Sequence, residues 1–414
     1  MARSDISMKL HGIALLSCLG VCLLTGAEAV SYAQKFDRTD IAVGGKNFYG
    51  LAMNANPYRQ SNGYMTYDVE VGFQSEPADS CDFARSYGYP MLSVGISVSK
   101  LSDFVMDGDS FLPDIYSVYG GFERTLVRRE KFSSGFLLNL GVTTNPGVYD
   151  PVSNPGNTFL SSPVMCYFGG GFFAKWHFAR RWEAGVEVMY RHYSNGMLSV
   201  PNGGMDVVGG GVFARYRLSD YSAAEFSEPK RKPDFKRGMM YHIAFSGGVH
   251  SCRSEFLVYN EMVDDPLQKQ TKFKRHPKFC LSADAMYRYA LKYATGLSLD
   301  LYYSSNMKEL EACDRILYGD EAVEACPGYD PVSVGVAVVQ ELYWRNLAGY
   351  IALGVYPYRH KGISGYQGWH YEKAGLRYYF PRLGDTFLGF AIKAHSFRAE
   401  NFEFTIGKRF GVKR

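Results

Sequence analysis

The stretch EAGVEVMYRHYS, residues 183–194, places two kinds of side chain on alternate positions. In an extended chain successive side chains point to opposite faces. One face then carries the charged residues Glu183, Glu187 and Arg191, and the other carries Ala184, Val186, Val188, Tyr190, His192 and Ser194. Alternation of this length predicts a β-strand with one charged face and one largely apolar face.

Segments with the same period recur along the chain. Examples are MLSVGISVSKL at 91–101, SGFLLNLGVTT at 134–144 and VSVGVAVVQELYW at 332–344. In a soluble sandwich the polar face would meet water, whereas in an outer-membrane barrel the apolar face meets lipid and the polar face lines the interior. The alternation alone leaves both architectures open.

The joints between these segments favour the barrel. Short joints at 179–180, 291–292, 345–346 and 382–384 alternate with long ones at 145–162, 253–277 and 305–330. Short periplasmic turns and long external loops are typical of outer-membrane barrels. The long joint at 75–89 is an exception. We therefore expect an all-β, antiparallel outer-membrane β-barrel of about sixteen strands, either as two tandem eight-stranded halves or as one larger barrel.

The ends and joints of the chain suggest its domains. Met8 and Lys9 precede the apolar run 13–24, and Ala27-Glu28-Ala29 fits a cleavage site, so residues 1–29 are expected to be an export signal. Residues 219–237, rich in proline and charge, are expected to form a periplasmic linker. That leaves barrel regions at 30–218 and 238–414, and it places the protein in the outer membrane of a Gram-negative bacterium.

Composition excludes other classes. The 414 residues carry a net charge of +4 without charge blocks, which argues against nucleic acid as a partner. Beyond the signal, no apolar run reaches the roughly 18 residues that a spanning helix needs. Six cysteines remain after the signal, of which Cys313 and Cys326 form the most plausible disulfide. No cysteine or histidine spacing indicates a metal site.

The end of the opening stretch combines three reactive residue types. His192 and Ser194 share a face and lie about 6.6 Å apart along a strand. Asp206 opens the next predicted strand on the same, lipid-facing side. A serine needs a base to become a nucleophile, and the base needs a third group to orient it. Asn195 offers amide and backbone donors for an oxyanion.

The alternative interpretation is structural. His192 would then belong to an aromatic belt at the barrel rim, and Ser194 and Asn195 would be turn residues. Polar residues on a lipid-facing surface are nevertheless costly. The residue types alone leave both interpretations open.

The motif itself resembles a known family. HYSNGMLSVPNGGMD, residues 192–206, is similar to the His-x-Ser-Asn, Pro-Asn and acidic pattern of lipid A 3-O-deacylases of the PagL type. The matching positions are His192, Ser194, Asn195, Pro201, Asn202 and Asp206. The loop NPGVYDPVSNPGN at 145–157 also looks like a loop of this family, and the resemblance covers roughly residues 46–218.

The resemblance implies a lipid-facing site that hydrolyses the ester-linked acyl chain at the 3-position of lipid A in lipopolysaccharide. Ser194 would be the nucleophile, His192 the general base, Asp206 the orienting acid and Asn195 an oxyanion donor. Such ester hydrolysis needs no metal or cofactor. Asp206 departs from the glutamate of well-known members, so the placement of the acid is in question.

The second half resembles the extension of longer relatives, which ends in a Lys-x-His and Ala-x-x-x-Glu pattern. Here it reads Lys393, His395, Ala399 and Glu403. Strand parity points Lys393, His395 and Glu403 into the barrel, away from lipid. We expect an internal Lys–His–Glu network there rather than a second active site of these residues.

Two rival functions stay open. One is an outer-membrane phospholipase, which would release fatty acids from glycerophospholipids and might be expected to bind calcium; no extra carboxylate cluster near Ser194 suggests such a site. The other is a non-catalytic barrel, a channel or a surface-binding scaffold. The large second half and Asp206 are the features that favour this class.

Overall fold

The computed structural model describes residues 39–53, 63–75, 82–103, 110–223, 226, 235–365 and 368–411. The expected export signal, Cys81 and much of the expected linker lie outside these residues. Within them the chain forms two closed antiparallel barrels of eight strands each. The prediction of about sixteen strands is confirmed, and two barrels form instead of one larger barrel. Each barrel is a compact unit of its own.

The first barrel closes between its first and last strands, where Asn47 pairs with Val212. Every neighbouring pair along the chain is antiparallel, so each strand bonds to the one before it and the one after it. Its strands are β1 Thr39–Ala52, β2 Gly63–Ser75, β3 Met91–Ser99, β4 Ile115–Arg128, β5 Phe132–Thr144, β6 Val164–Ala179, β7 Trp182–Ser194 and β8 Met205–Arg217.

The second barrel closes in the same way, with Phe245 of its first strand paired with Ile406 of its last. The short joints 291–292 and 345–346 separate its strands as the sequence predicts. Its strands are β9 Gly238–Ser251, β10 Arg275–Ala290, β11 Tyr293–Ser304, β12 Tyr329–Trp344, β13 Leu347–Lys361, β14 His370–Phe380, β15 Thr386–His395 and β16 Arg398–Phe410.

Helices in the described residues are short and lie between strands. They are α1 Asp82–Ser86, α2 Arg253–Phe256 with the π-helical turn Leu257–Glu261, α3 Met307–Tyr318, α4 Asp320–Ala325, and 3₁₀ turns at Leu101–Asp103, Pro266–Gln268 and Pro381–Leu383. None of the helices in this part of the chain has the length and apolar character to cross a bilayer.

The alternation of the opening stretch is realised in β7. Glu183, Glu187 and Arg191 point inward and are at most 2% exposed, whereas Val186 and Val188 point outward and are 46% and 61% exposed. The charged face is therefore the interior of the barrel and the apolar face is its outer surface, which suits a wall that meets lipid.

Buried ion pairs hold the interior of the first barrel together. Arg215 on β8 contacts Glu70 at 2.6 Å, Glu123 at 2.7 Å and Glu183 at 3.1 Å. Lys175 on β6 bridges Glu123 and Glu183 at 2.8 and 3.1 Å. Removing one partner of such a buried network typically costs about 3–5 kcal/mol. The network cross-links strands on different sides of the barrel and keeps its wall rigid.

The expected Cys313–Cys326 disulfide is wrong, because both thiols are free in the structure. Cys313 lies on the buried face of α3, three residues after buried Leu310, and is 3% exposed. Burial raises the pKa of the Cys313 thiol to about 12. Gly319, with φ of 86°, turns the chain out of α3, and Cys326 follows α4 at a half-exposed position.

Candidate active site

The β7–β8 hairpin positions the residues of the motif. His192 and Asp206 stand directly opposite each other in the antiparallel ladder. Both lie on the outward face of the barrel, and their side chains are 32% and 35% exposed. The sequence prediction that these two residues face outward and lie close together is confirmed.

His192 and Asp206 are hydrogen-bonded. His192 Nδ1 lies 2.7 Å from Asp206 Oδ1, so a proton on Nδ1 is donated to the carboxylate. This bond fixes the ring and leaves Nε2 as the nitrogen that can accept a proton. One methylene less than glutamate is therefore enough side chain for Asp206 to reach the histidine.

Tyr190 is a member of this site that the sequence reasoning missed. Its hydroxyl donates a 2.5 Å hydrogen bond to Asp206 Oδ1, the same oxygen that contacts His192. Its ring lies nearly parallel to the imidazole, with centroids 6.4 Å apart. Tyr190 stands two residues before His192 on the same strand face, and that parity was the available signal for it.

Ser194 is the last residue of β7, where the strand enters the loop 195–204. It pairs with Cys166 of β6 and is 4% exposed. Asn202 Nδ2 donates to Ser194 Oγ at 3.2 Å, and Asn202 Oδ1 accepts a 3.4 Å bond from the backbone N–H of Asn195. A single amide side chain thus bridges the serine and the residue that follows it.

The side chain of Asn195 is directed at a neighbouring loop. Its Nδ2 donates to Ser161 Oγ at 3.1 Å, and the residue is fully buried. The same loop is tied down by the bond from Gly203 N to Thr158 O at 2.9 Å. The side-chain amide of Asn195 therefore anchors the motif to the 145–162 loop, and its backbone N–H is the donor on the side of Asn202.

Hydrogen bonds also explain the form of the 145–162 loop. Asn145 Nδ2 donates to the backbone oxygen of Leu160 at 2.8 Å, and Asn157 Oδ1 accepts from Leu160 N at 3.1 Å. Buried asparagine side chains replace the ladder bonds that this irregular segment lacks. The loop is consequently a fixed support next to Ser194.

The arrangement can perform proton transfer and nucleophilic attack without a metal. Among the described residues, no group of three histidine, cysteine or acidic side chains is placed to hold a metal ion. What the site offers is a hydroxyl, a histidine oriented by a carboxylate, and amide donors beside the hydroxyl. These are the parts of a serine hydrolase site.

The polar pattern in the second half forms a different structure. Lys393, His395 and Glu403 point inward and are at most 4% exposed, as strand parity predicts. Glu403, however, contacts Lys373 at 3.3 Å. Glu400 is the acid that joins the pair, 2.8 Å from Lys393 and 2.9 Å from His395.

The choice of Glu403 as the acid of this network is thus wrong, and a β-bulge is the reason. Lys393 pairs with Asn401 while the next residue, Ala394, pairs with Ala399, so Glu400 is the extra residue on β16. A bulge re-aims the side chain of its extra residue. Glu400 therefore points inward together with Asn401, which simple alternation does not allow.

Comparison with known proteins places both halves of the chain. Residues 126–217 match the family model of lipid A 3-O-deacylase (PagL), and residues 239–413 match the model of the acyloxyacyl hydrolase C-terminal domain. No curated protein sequence matches the chain. The two family models cover β5–β8 and the whole of the second barrel.

Similar solved structures are all outer-membrane barrels. The outer membrane enzyme PagL is 17% identical, covering 43% of this chain and 98% of its own, with a TM-score of 0.28. OccK1 (OpdK) of Pseudomonas aeruginosa is 10% identical, covering 91% and 100%, with a TM-score of 0.20. A BenF-like porin of Pseudomonas fluorescens Pf-5 is 8% identical, covering 91% and 100%, with a TM-score of 0.20.

These TM-scores are too low for the solved structures to add to the family assignment, which rests on the two family models. One model covers the strands that carry the His-x-Ser-Asn motif, and the other covers the extension that follows. The chain therefore belongs to the lipid A deacylase (PagL) family of outer-membrane β-barrel hydrolases, in a long form that carries the C-terminal acyloxyacyl hydrolase domain.

Proposed function

We propose that this protein is an outer-membrane serine esterase that removes the acyl chain ester-linked at the 3-position of lipid A. The observation that carries the proposal is the 2.7 Å bond between His192 and Asp206 on the outward face of the barrel, two residues from Ser194. A nucleophile on that face meets substrates that lie in the membrane. The 3-position is taken from the family.

In the first step Ser194 Oγ attacks the acyl carbonyl carbon while its proton passes to His192 Nε2. Asp206 stabilises the imidazolium through Nδ1 and keeps the ring in place. The tetrahedral intermediate then collapses, the ester C–O bond breaks, and the sugar oxygen takes the proton from His192. An acyl-serine remains.

In the second step water attacks the acyl-serine, with His192 again accepting the proton. Release of the fatty acid regenerates the Ser194 hydroxyl. Both steps place negative charge on the former carbonyl oxygen. Asn202 Nδ2 and the backbone N–H of Asn195 are the donors proposed to receive it, since Nδ2 already lies 3.2 Å from Ser194 Oγ.

Tyr190 is proposed as a positioning residue for the shorter acid of this chain. An aspartate at position 206 reaches His192 with less side chain than a glutamate would, and its orientation then depends on a second bond. The Tyr190 hydroxyl supplies that bond on Asp206 Oδ1. Tyrosine and histidine together define where this oxygen lies.

Mass spectrometry of lipid A tests the function directly. Lipid A from cells that produce the protein should lose one 3-O-linked acyl chain, and lipid A from cells with Ser194→Ala should keep it. Ser153→Ala, at an exposed serine of the 145–162 loop, is the matched control and should behave as wild type.

The rival functions give different products in the same cells. Unmodified lipid A with release of lysophospholipid would assign a phospholipase. Unmodified lipid A and phospholipid, together with ion conductance in planar bilayers, would assign a non-catalytic barrel. Deacylated lipid A in cells with Ser194→Ala would remove Ser194 as the nucleophile.

A further inference from the structure

A second group of reactive side chains lies on the outer surface of the second barrel. It consists of His370 and Glu372 on β14 and Ser396 in the turn between β15 and β16, and we call it the rim cluster. Tyr371, Lys373 and His395, their neighbours in sequence, are at most 5% exposed and point inward. Alternation therefore directs the three members of the rim cluster outward, toward lipid.

The strand register brings the cluster together. Glu372 pairs with Ala394 in the β14–β15 ladder, and two further residues along both strands set His370 opposite Ser396. Ser396 Oγ lies 3.3 Å from His370 Nε2. Glu372 Oε1 lies 3.3 Å from the same nitrogen. His370 is thus within hydrogen-bond reach of a hydroxyl and a carboxylate.

The backbone at Ser396 is unusual. Ser396 and Phe397 form a two-residue turn with φ of 49° and 64°, a left-handed conformation that normally selects Asn and Gly. Strained backbone at a non-glycine residue is concentrated at functional sites. Nucleophilic serines of other hydrolases also lie on sharp, strained turns that expose the hydroxyl.

The surroundings place the rim cluster at the membrane surface. The turn 396–397 lies at the same end of the barrel as the long joints 252–274 and 305–328, which is the external end. Trp369 is 65% exposed and Phe397 is 93% exposed beside the cluster. Aromatic side chains at a barrel rim are enriched at the level of the lipid headgroups.

We propose that the rim cluster is a second serine esterase site, which acts on acyl esters of lipids in the outer leaflet. Ser396 is the nucleophile, His370 the base and Glu372 the acid that stabilises the charged ring. The site shares no residue with Ser194, His192 and Asp206. It therefore stands or falls separately from the proposed function of the first barrel.

The chemistry follows from the distances. The Ser396 hydroxyl proton passes to His370 Nε2, and Oγ forms a bond to the acyl carbon. The ester C–O bond then breaks and the departing oxygen takes the proton back. Water, deprotonated by His370, releases the fatty acid and regenerates Ser396. The backbone N–H of Phe397 is not used to close a two-residue turn, so it is available to the oxyanion.

The position of Glu372 sets the expected rate. Its carboxylate lies against Nε2, the nitrogen that takes the serine proton, so it stabilises the imidazolium. The same contact favours a resting proton on Nε2, which must move before the serine reacts. We therefore expect slower turnover at the rim cluster than at Ser194.

Labelling with a lipid-like fluorophosphonate tests the proposal in the purified full-length protein in detergent. The reagent forms a bond between phosphorus and an activated serine oxygen and releases fluoride, and peptide mass spectrometry locates it. Wild type should be labelled at Ser194 and Ser396, Ser194→Ala at Ser396 only, and the double variant Ser194→Ala/Ser396→Ala at neither. Ser364→Ala in the Ser194→Ala background is the control and should leave the Ser396 label unchanged.

Hydrolysis of a dispersed acyl ester gives the second readout. Ser194→Ala should keep a residual rate that falls at least fivefold on adding His370→Ala or Ser396→Ala, with each variant shown to be folded by heat-modifiable gel mobility. An unlabelled Ser396 together with equal rates for Ser194→Ala and the double variant would overturn the second site and leave the first intact. Label and activity at Ser396 with an unreactive Ser194 would do the reverse. Should Ser396→Ala not fold, the folded variant Glu372→Gln in the Ser194→Ala background decides, since it must lower the residual rate and the Ser396 label.

Discussion

Tyr190→Phe removes one oxygen atom from the active site and little else. The hydroxyl that donates a 2.5 Å bond to Asp206 Oδ1 is lost. The ring remains, so its packing beside the His192 imidazole is retained. Any change in turnover then reports on the orientation of Asp206.

The size of the effect follows from the bond and its exposure. A hydrogen bond to a charged group contributes roughly 1.5–3 kcal/mol. Because the Asp206 side chain is 35% exposed, water replaces part of the lost bond, and the lower end of that range applies. A loss of about 1.4 kcal/mol in the transition state is tenfold in rate. We expect kcat to fall about three- to tenfold, with KM nearly unchanged since Tyr190 is not assigned to substrate binding.

Asp206→Glu sharpens the test. With Tyr190 present, the longer acid must fit where the tyrosine hydroxyl already lies, so Asp206→Glu should lower kcat. In the Tyr190→Phe background the additional methylene has room, and the glutamate should restore part of the lost rate. Opposite effects of one substitution in two backgrounds require that the two side chains interact.

The assay is ester hydrolysis by the four proteins in detergent, normalised to the folded fraction on a heat-modifiable gel. A Tyr190→Phe rate within twofold of wild type would refute the positioning role. So would an Asp206→Glu effect of the same sign and size in both backgrounds. A fall in folded fraction without a fall in turnover would reassign Tyr190 to stability.

Further predictions concern the other side chains of the two barrels. His192→Ala should abolish turnover while Asp206→Asn keeps a measurable part of it, because only the histidine moves the proton; equal rates would contradict these roles. Asn202→Ala should lower kcat about 100-fold if it donates to the oxyanion, and an unchanged kcat would remove it from that role. Glu400→Gln should destabilise the second barrel by about 3–5 kcal/mol by leaving buried cations unpaired, seen as a lower unfolding temperature in detergent. The Cys313 thiol, with its pKa raised to about 12, should resist alkylation at neutral pH in the folded protein, and rapid modification would contradict its burial.

Strand parity was readable from the sequence because it is a local property. Side chains alternate with a period of two residues whatever the strand pairs with. The outward position of His192 and the inward position of Lys393 and His395 follow from it. So does the nearness of His192 and Asp206, since a hairpin sets neighbouring strands side by side.

Tertiary structure decided what alternation does not contain. Closure into two barrels depends on pairing between β1 and β8 and between β9 and β16, which are far apart in sequence. The partner of the inward Lys393 and His395 depends on a bulge that shifts Glu400 by one position. Neither feature leaves a periodic trace in the residues concerned.

The finer geometry of the deacylase site belongs to the same class. That Asn202 contacts Ser194, and that Asn195 is turned to Ser161, depends on how the loop 195–204 packs on the 145–162 loop. The residue types of a motif predict which groups are present. Which atom each group faces is set by packing and hydrogen bonding between segments that only the folded chain brings together.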